Sequence, residues 1–343
     1  MSKGMLIRLI VLASALLVDV GLAELFLRLA KPQVTMFPRY VTSPDYAYEF
    51  PRNASIHNAR GNLWSFTYTT NEIGRRGPFV QPAAAYDVPN LIVLGDSITF
   101  GIGVDDGDVY SAQLQNLVGN AWRVINGGMA GWGIDSEIKW FFQTGTSYQP
   151  RAVVLQFSLN DPWDSNTGVT TVADGRFEFH PVTSQKPAWM DWASRSGLLQ
   201  RSHLYSLLRS FETRGGAGDF TARVLGTGSA AAPGTAGSAR QTHQELQYVE
   251  YLRTFAERLG DDGIPLLLLS ETHDGESGYT YDIATFPLIE AGLRRLQGEG
   301  LLRFIELPLT QMQKYKRSPE GHQWGPEHHR LVAESLAAAL RDS

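Results

Sequence analysis

The stretch that most restricts this chain is residues 91–103, LIVLGDSITFGIG. Four apolar residues, Leu91, Ile92, Val93 and Leu94, stop abruptly at Gly95, Asp96 and Ser97. An apolar run of strand length with no polar alternation is buried on both faces, as strands inside parallel sheets are. A strand that ends in this way carries a polar side chain to the carboxyl edge of the sheet, where open α/β folds bind their ligands. Ser97 is therefore a candidate nucleophile. A serine hydroxyl is weak at neutral pH, so the candidacy requires a base, usually histidine, and donors for the oxyanion formed on a carbonyl.

The chain downstream repeats the alternation. Residues 111–118 carry Leu114, Leu117 and Val118 on one helical face, 122–125 read as a strand, 126–133 as a glycine-rich loop and 134–144 as a helix. Residues 152–157 form a third apolar run ending at Ser158, Leu159, Asn160, Asp161 and Pro162. Strands at 265–270 and 302–307 and helices from 241 or 242, at 288–297 and at 331–340 continue the pattern. Strand, loop and helix in short repeats predict an α/β domain with a parallel sheet covered on both faces. Three successive strand ends then carry Ser97, Gly131 and Asn160, which should converge. The expected plan is an export or anchor segment over 1–30, a lead-in segment with edge strands over 31–90, and one catalytic domain over 91–343.

Several parts are less regular. Residues 64–68 alternate like an edge strand, and 71–78, with Gly74, Gly77 and Pro78, form a turn cluster. Residues 164–187 predict an excursion with a hairpin about Asp174 and Gly175, and 189–211 predict a helix. Residues 214–240, dominated by Gly, Ala, Ser, Thr and Pro, have little to bury and read as a flexible surface insertion.

Composition narrows the function classes. The chain of 343 residues is 43% hydrophobic and 19% charged, enough for a sizeable core. A net charge of -5 and the lack of any Lys/Arg-rich run give no reason to expect a nucleic-acid partner. With no cysteine there are no disulfides, thiolate metal sites or cysteine nucleophiles. Lys3 and Arg8 precede an apolar run over 9–18, followed by Asp19, Gly21, Ala23 and Glu24. That order suits a signal peptide, with Gly21 and Ala23 as small residues at a cleavage site. Apolar spacing resumes through Leu22, Leu25, Phe26, Leu27 and Leu29, so an uncleaved membrane anchor ending near Ala30 is the alternative. Both place the body outside the cytoplasm, in the cell envelope or periplasm.

The motif around Ser97 is not the nucleophile elbow of α/β-hydrolases, because Thr99 stands where that pattern has glycine. It is neither a phosphate loop nor a dinucleotide fingerprint, since no Lys-Ser or Lys-Thr follows and Gly101-Ile102-Gly103 lacks a third small residue. Gly131 offers a bare backbone amide and Asn160 a side-chain amide, the groups of an oxyanion hole. Asp96 reads as an acceptor for loop amides. Trp132 and Trp163 follow the two oxyanion candidates and form either a substrate platform or core packing. Glu271, His273 and Asp274 make a polar rim without the spacing of a metal site, so neither metal nor other cofactor is expected.

Gly95-Asp96-Ser97 with Ile98 and Thr99, Asn126 followed by Gly131, and Asn160-Asp161 together resemble the block pattern of the SGNH (GDSL-type) hydrolases. The resemblance covers 91–162 and resumes over 319–340; the N-terminal helix and the turn from Thr70 and Asn71 to Gly77 resemble the bacterial envelope branch. It implies a flavodoxin-like three-layer sandwich with a central, mostly parallel sheet. It also implies ester hydrolysis or acyl transfer through an acyl-serine, with Ser97 as nucleophile and the Ser97 amide, Gly131 and Asn160 as oxyanion donors. The family's base is a histidine preceded three, or in some branches two, residues earlier by aspartate. Here Glu320 and His322 take those roles, with glutamate in place of aspartate. His328 and His329 stand close by, near the start of the last helix, where histidines are commonly capping or surface residues. Expected substrates are esters, O-acylated carbohydrates among them. The alternatives are a lipid esterase or thioesterase, and a catalytically silent envelope glycan-binding protein.

Overall fold

A computed structural model describes residues 2–33, 35, 40–41, 43–46, 48–78, 88–158, 160–164, 168–182, 192, 196–212, 237–272, 283–308 and 324–341. In chain order the elements are α1 (Lys3–Ala30), β1 (Ser55–Arg60), β2 (Trp64–Thr69), β3 (Asn90–Leu94), α2 (Ser97–Phe100), α3 (Tyr110–Val118), β4 (Arg123–Asn126), α4 (Ile134–Gln143) and β5 (Pro150–Gln156). They continue with α5 (Asp161–Asp164), β6 (Thr170–Ala173), β7 (Arg176–Phe179), α6 (His203–Glu212), α7 (Gly237–Asp261), β8 (Leu266–Thr272), α8 (Pro287–Gly298), β9 (Arg303–Pro308) and α9 (Pro326–Arg341). The chain divides into two compact units. One comprises Met1–Arg39, Ile56–Ser65 and Pro187–Ala232, and the other Tyr40–Ser55, Phe66–Lys186 and Pro233–Ser343.

The larger unit is built on five parallel strands in the order β4-β3-β5-β8-β9. All five residues of β3 are buried, as its unbroken apolar run requires. Its side chains alternate between two layers. Leu91 and Val93 join one core with Tyr110 and Leu114 of α3 and Val332, Leu336 and Leu340 of α9. On the other face Ile92 and Leu94 lie beside Trp140 and Phe141, because a Cβ on Gly145 or Gly127 would meet the same two sets of atoms. Phe141 meets Phe255 of α7 edge-on, and α8 lies so close to α7 that a Cβ on Gly292 would approach Val249 to 2.7 Å. This is the three-layer α/β sandwich expected, with a purely parallel central sheet. Reading the strand order from β3, the chain steps to β4 on one side and β5 on the other, which opens a crevice at the carboxyl ends of β3 and its neighbours.

The hairpin of β6 and β7 turns at Asp174 and Gly175, both at positive φ, as a two-residue turn with primed twist demands. Residues expected in one helix over 189–211 instead form a 3₁₀ turn, Leu199–Arg201, before α6; most of 183–195 and all of 213–236 lie outside the described residues. α7 begins at Gly237, inside the stretch expected to be an unstructured insertion. The closing helix starts at Pro326, not at 331, because proline at a first helical position lacks only an amide that has no partner there. In the smaller unit, α1 is one continuous helix of 28 residues, which neither Asp19 nor Glu24 interrupts.

The earlier start of α9 carries His328 and His329 into the core, and both are buried where exposure was expected. The His329 ring stacks on Tyr110 at 6.0 Å, meets Trp324 edge-on and accepts the Tyr110 amide at Nδ1, 3.2 Å away. Burial holds it neutral, with its pKa lowered from 6.5 to about 3. The unfolded chain then binds a proton that the folded chain refuses between those values, so stability is full above pH ~6.5 and falls as pH drops toward 3. His329→Phe should be less stable than wild type at pH 7 but lose stability less steeply from pH 6.5 to 4 in denaturant titrations. Equal slopes would contradict this account.

Candidate active site

Gly95, the residue after β3, has a φ of 149°, and a Cβ there would collide with Thr99 Oγ1. That freedom lets the chain turn sharply into α2. Asp96 caps the helix: its Oδ1 accepts the Ile98 amide and the Ser158 hydroxyl, each at 2.9 Å. Ser97, the first residue of α2, donates its hydroxyl to Asp96 Oδ2 at 3.3 Å. Burial pushes the Asp96 carboxyl above the ordinary range, against the pull of donors from Ile98, Ser158, Asn160 and Ser97. Asp96 is thus the acceptor that the sequence suggested, and it ties the end of β3 to the end of β5.

The loop after β4 is laced to the same turn. Asn126 donates its side-chain amide to Thr99 O and Ser111 Oγ, both at 2.8 Å, while its Oδ1 accepts the Gly128 amide. Met129 donates its amide to Gly95 O at 3.0 Å. A Cβ on Gly128 would lie 2.6 Å from Phe100 N, so only glycine permits this approach. Gly131 has φ 78°, and its carbonyl accepts the Tyr48 hydroxyl at 2.6 Å. Burial raises the Tyr48 phenol well above its ordinary value, which keeps it a donor.

Asn160 stands at the end of β5, where its Nδ2 donates to Asp164 Oδ2 at 2.7 Å and its side chain also reaches Asp96. Asp161, immediately after, accepts the Ser158 amide at Oδ2. Burial, then the neighbouring Glu137 and Asp96, push the Asp161 carboxyl well above the usual range. Burial raises Asp164 to about 6. Glu137, fully buried in α4, is likewise pushed well up, first by burial and then by Asp96.

Ser97, Gly131 and Asn160 therefore belong to loops joined through Asp96 and Asn126. Trp132 is 2% exposed, with the Tyr46 ring 4.4 Å and the Arg75 guanidinium 4.6 Å from its own ring. Of the two readings of Trp132, substrate platform or core packing, the ring takes core packing, so it is not the platform. Trp163 is 49% exposed and touches Phe286 edge-on at 5.3 Å, leaving it open to a ligand. Glu320 and His322 lie outside the described residues. His328 accepts the Gly325 amide at Nδ1, 3.2 Å away. Among the described residues no group of three or more His, Cys, Asp or Glu could hold a metal.

Two groups of the site are not marked by the sequence pattern. Tyr48 is one; the other is Arg76, in the turn that sequence could describe only as a loop. Arg76 is buried, pairs with Asp106 at 2.9 Å, and donates to the carbonyls of Phe100, Gly101 and Val104, at 3.2 Å for Phe100 and 2.7 Å for Val104. It grips the carboxyl end of the helix whose amino end carries Ser97. The available signal was an Arg pair inside a glycine turn, and arginine in a loop ordinarily means solvent.

A parallel sheet with a helix-capped serine at one strand end, and glycine and asparagine loops locked against it, defines a class of α/β serine hydrolase. The sequence model of the GDSL-like Lipase/Acylhydrolase family matches residues 93–286, more than half of the chain, and the chain belongs to that family. It is an SGNH/GDSL-type serine hydrolase. No curated protein matches it. Similar solved structures include TesA, with 13% identity, a TM-score of 0.43 and coverage of 74% of this chain and 98% of that one. The acetyl xylan esterase AlAXEase has 15% identity and a TM-score of 0.41, with 73% and 99% covered. A GDSL-like lipase from Bacteroides thetaiotaomicron has 10% identity and a TM-score of 0.41, with 77% and 92% covered.

Misplacing a reacting group by ~1 Å costs about 100-fold in rate. Arg76→Ala should lower kcat on a simple aryl ester by roughly 10- to 100-fold with KM changed less than about threefold. Arg76→Lys, which keeps the charge but not the fork of donors, should fall between. Wild-type kcat in folded Arg76→Ala would contradict the assigned role.

Proposed function

We propose that the protein is an exported serine esterase or acyl-transferring enzyme acting on O-acylated substrates through an acyl-serine. The observation that supports this most is the hydrogen bonding of the Ser97 turn to the segment of Asn160 through Asp96 and to the loop after β4 through Asn126.

In this mechanism the Ser97 hydroxyl attacks the ester carbonyl and its proton passes to His322, whose ring Glu320 orients. Negative charge develops on the carbonyl oxygen, held by the amides of Ser97 and Gly131 and the side chain of Asn160. The C–O bond of the leaving alcohol breaks, and His322 returns the proton to that alcohol. Water, or an acceptor hydroxyl, then attacks the acyl-serine with the same base, and Ser97 is regenerated. Trp163, exposed next to the Asn160 loop, is the aromatic surface for the substrate.

The burial of His328 and His329 supports His322 as the base, since each of those two rings already accepts a backbone amide at Nδ1 within the core. Export is supported by α1, whose apolar stretch has a mean hydropathy of 2.3. In the envelope the accessible esters include O-acylated glycans, which are the substrate class we favour.

The test is turnover of p-nitrophenyl acetate by purified protein. Ser97→Ala and His322→Ala should each lose about 10³-fold or more in kcat while remaining folded. His328→Ala should lose stability before it loses turnover per folded molecule. Wild-type turnover in His322→Ala, with none in folded His328→Ala, would overturn the assignment of the base.

A further inference from the structure

The helix α1 has two parts with different surroundings. Over its first twenty residues the apolar side chains, Ile7, Val11, Leu16 and Leu17 among them, are exposed. At about 1.5 Å per residue the part of the helix before Glu24, residues 3–23, is ~32 Å long, against ~30 Å for a bilayer's hydrocarbon core. Between Arg8 and Glu24 the only charged residue is Asp19. In the last two turns Leu25, Phe26 and Leu29 remain exposed, but Glu24, Leu27 and Arg28 are tied into the smaller unit. Glu24 Oε1 accepts the His203 amide at 3.0 Å, and Oε2 accepts the Leu204 amide and the Ser202 hydroxyl at 2.8 Å each. Glu24 thus caps α6 from a segment almost 180 residues away. Arg28 pairs with Glu24 at 2.7 Å and donates to Arg201 O at 3.0 Å, Leu27 is buried, and the Gln33 amide donates to His203 Nδ1 at 2.8 Å.

This cap depends on the helix that precedes it. Residues 20–23 supply the carbonyls to which the amides of 24–27 bond. Cleavage after Ala23, where small residues suggest a signal-peptidase site, would leave residues 24–30, seven in all and too few for a helix to hold itself in water. Glu24 would then lose the geometry that places both of its oxygens, and the start of α6 would lose three donors' partners. A leader destined for removal has no need of such a joint.

We propose that α1 is retained as a lipid-spanning anchor, with the bilayer taking the apolar stretch before Glu24 and Glu24 fastening the anchor to α6 at the membrane surface. The proposal rests on the exported reading above for the side of the membrane, but not for the anchoring itself.

The experiment expresses the full chain, washes membranes with alkaline carbonate and determines the N-terminus of the mature protein by mass spectrometry. The expected result is a carbonate-resistant chain that yields peptides from within 9–28 and requires detergent for release. A soluble mature chain beginning at or after Glu24 overturns the proposal. Protease treatment of intact spheroplasts separates the two readings: a digested body supports export, whereas a protected body with carbonate-resistant anchoring contradicts export alone. Glu24→Ala should remain in the membrane but be cut by trypsin about fivefold faster at Arg201, as loss of a helix cap predicts, with Glu24→Gln nearer to wild type. Equal rates for the three proteins would overturn the joint.

Discussion

The site depends on a buried carboxylate. Asp96 is fully buried one residue from Ser97, and an unpaired charge in that position would cost several kcal/mol. It is tolerated because it collects donors from both neighbouring strand ends: Ile98 N and Ser97 Oγ from its own turn, Ser158 Oγ and the Asn160 side chain from the end of β5. Those bonds fix where the two loops stop relative to one another. The Asn126 side chain does the same from the β4 side, bonding Thr99 O and Ser111 Oγ. The parallel sheet supplies the convergence, and these two side chains supply its accuracy.

Much of this was legible in the sequence, for a physical reason. Strands buried on both faces must be apolar at every position, so Leu91 to Leu94 and the runs at β5 and β8 announce themselves, and glycine at Gly95 and Gly131 marks backbone that other residues cannot follow. What was not legible depends on tertiary contact. Arg75 and Arg76 are among the most buried side chains, one against two indole rings and the other against three carbonyls, and nothing in a glycine-rich turn distinguishes them from solvated arginines. Tyr48 reaches Gly131 across 83 positions. His328 and His329 looked exposed because the residues about them are polar, yet the helix begins earlier than its apolar periodicity and Trp324 covers His329. Trp132 had two candidate fates, and the Tyr46 and Arg75 contacts chose packing.

The segment before the sheet is more than a lead. Phe50 stacks on Phe100 at 4.2 Å, and Tyr68 meets the same ring edge-on, so the aromatic residues ahead of β3 pack directly on α2. Together with Arg76 they hold the helix that carries Ser97 from the side away from Asp96. Ser97 is therefore braced at both ends of a single turn of helix, which explains how so short an element can hold a fixed geometry.

The central claim is that these loops activate Ser97 and no other serine. Reaction of the purified full chain with a fluorophosphonate, followed by peptide mass mapping, tests it most directly. The account predicts one adduct per chain, on the peptide containing Ser97, and none in Ser97→Ala. An unlabelled wild type under conditions that label a known serine esterase, or an adduct on a different serine, would contradict it.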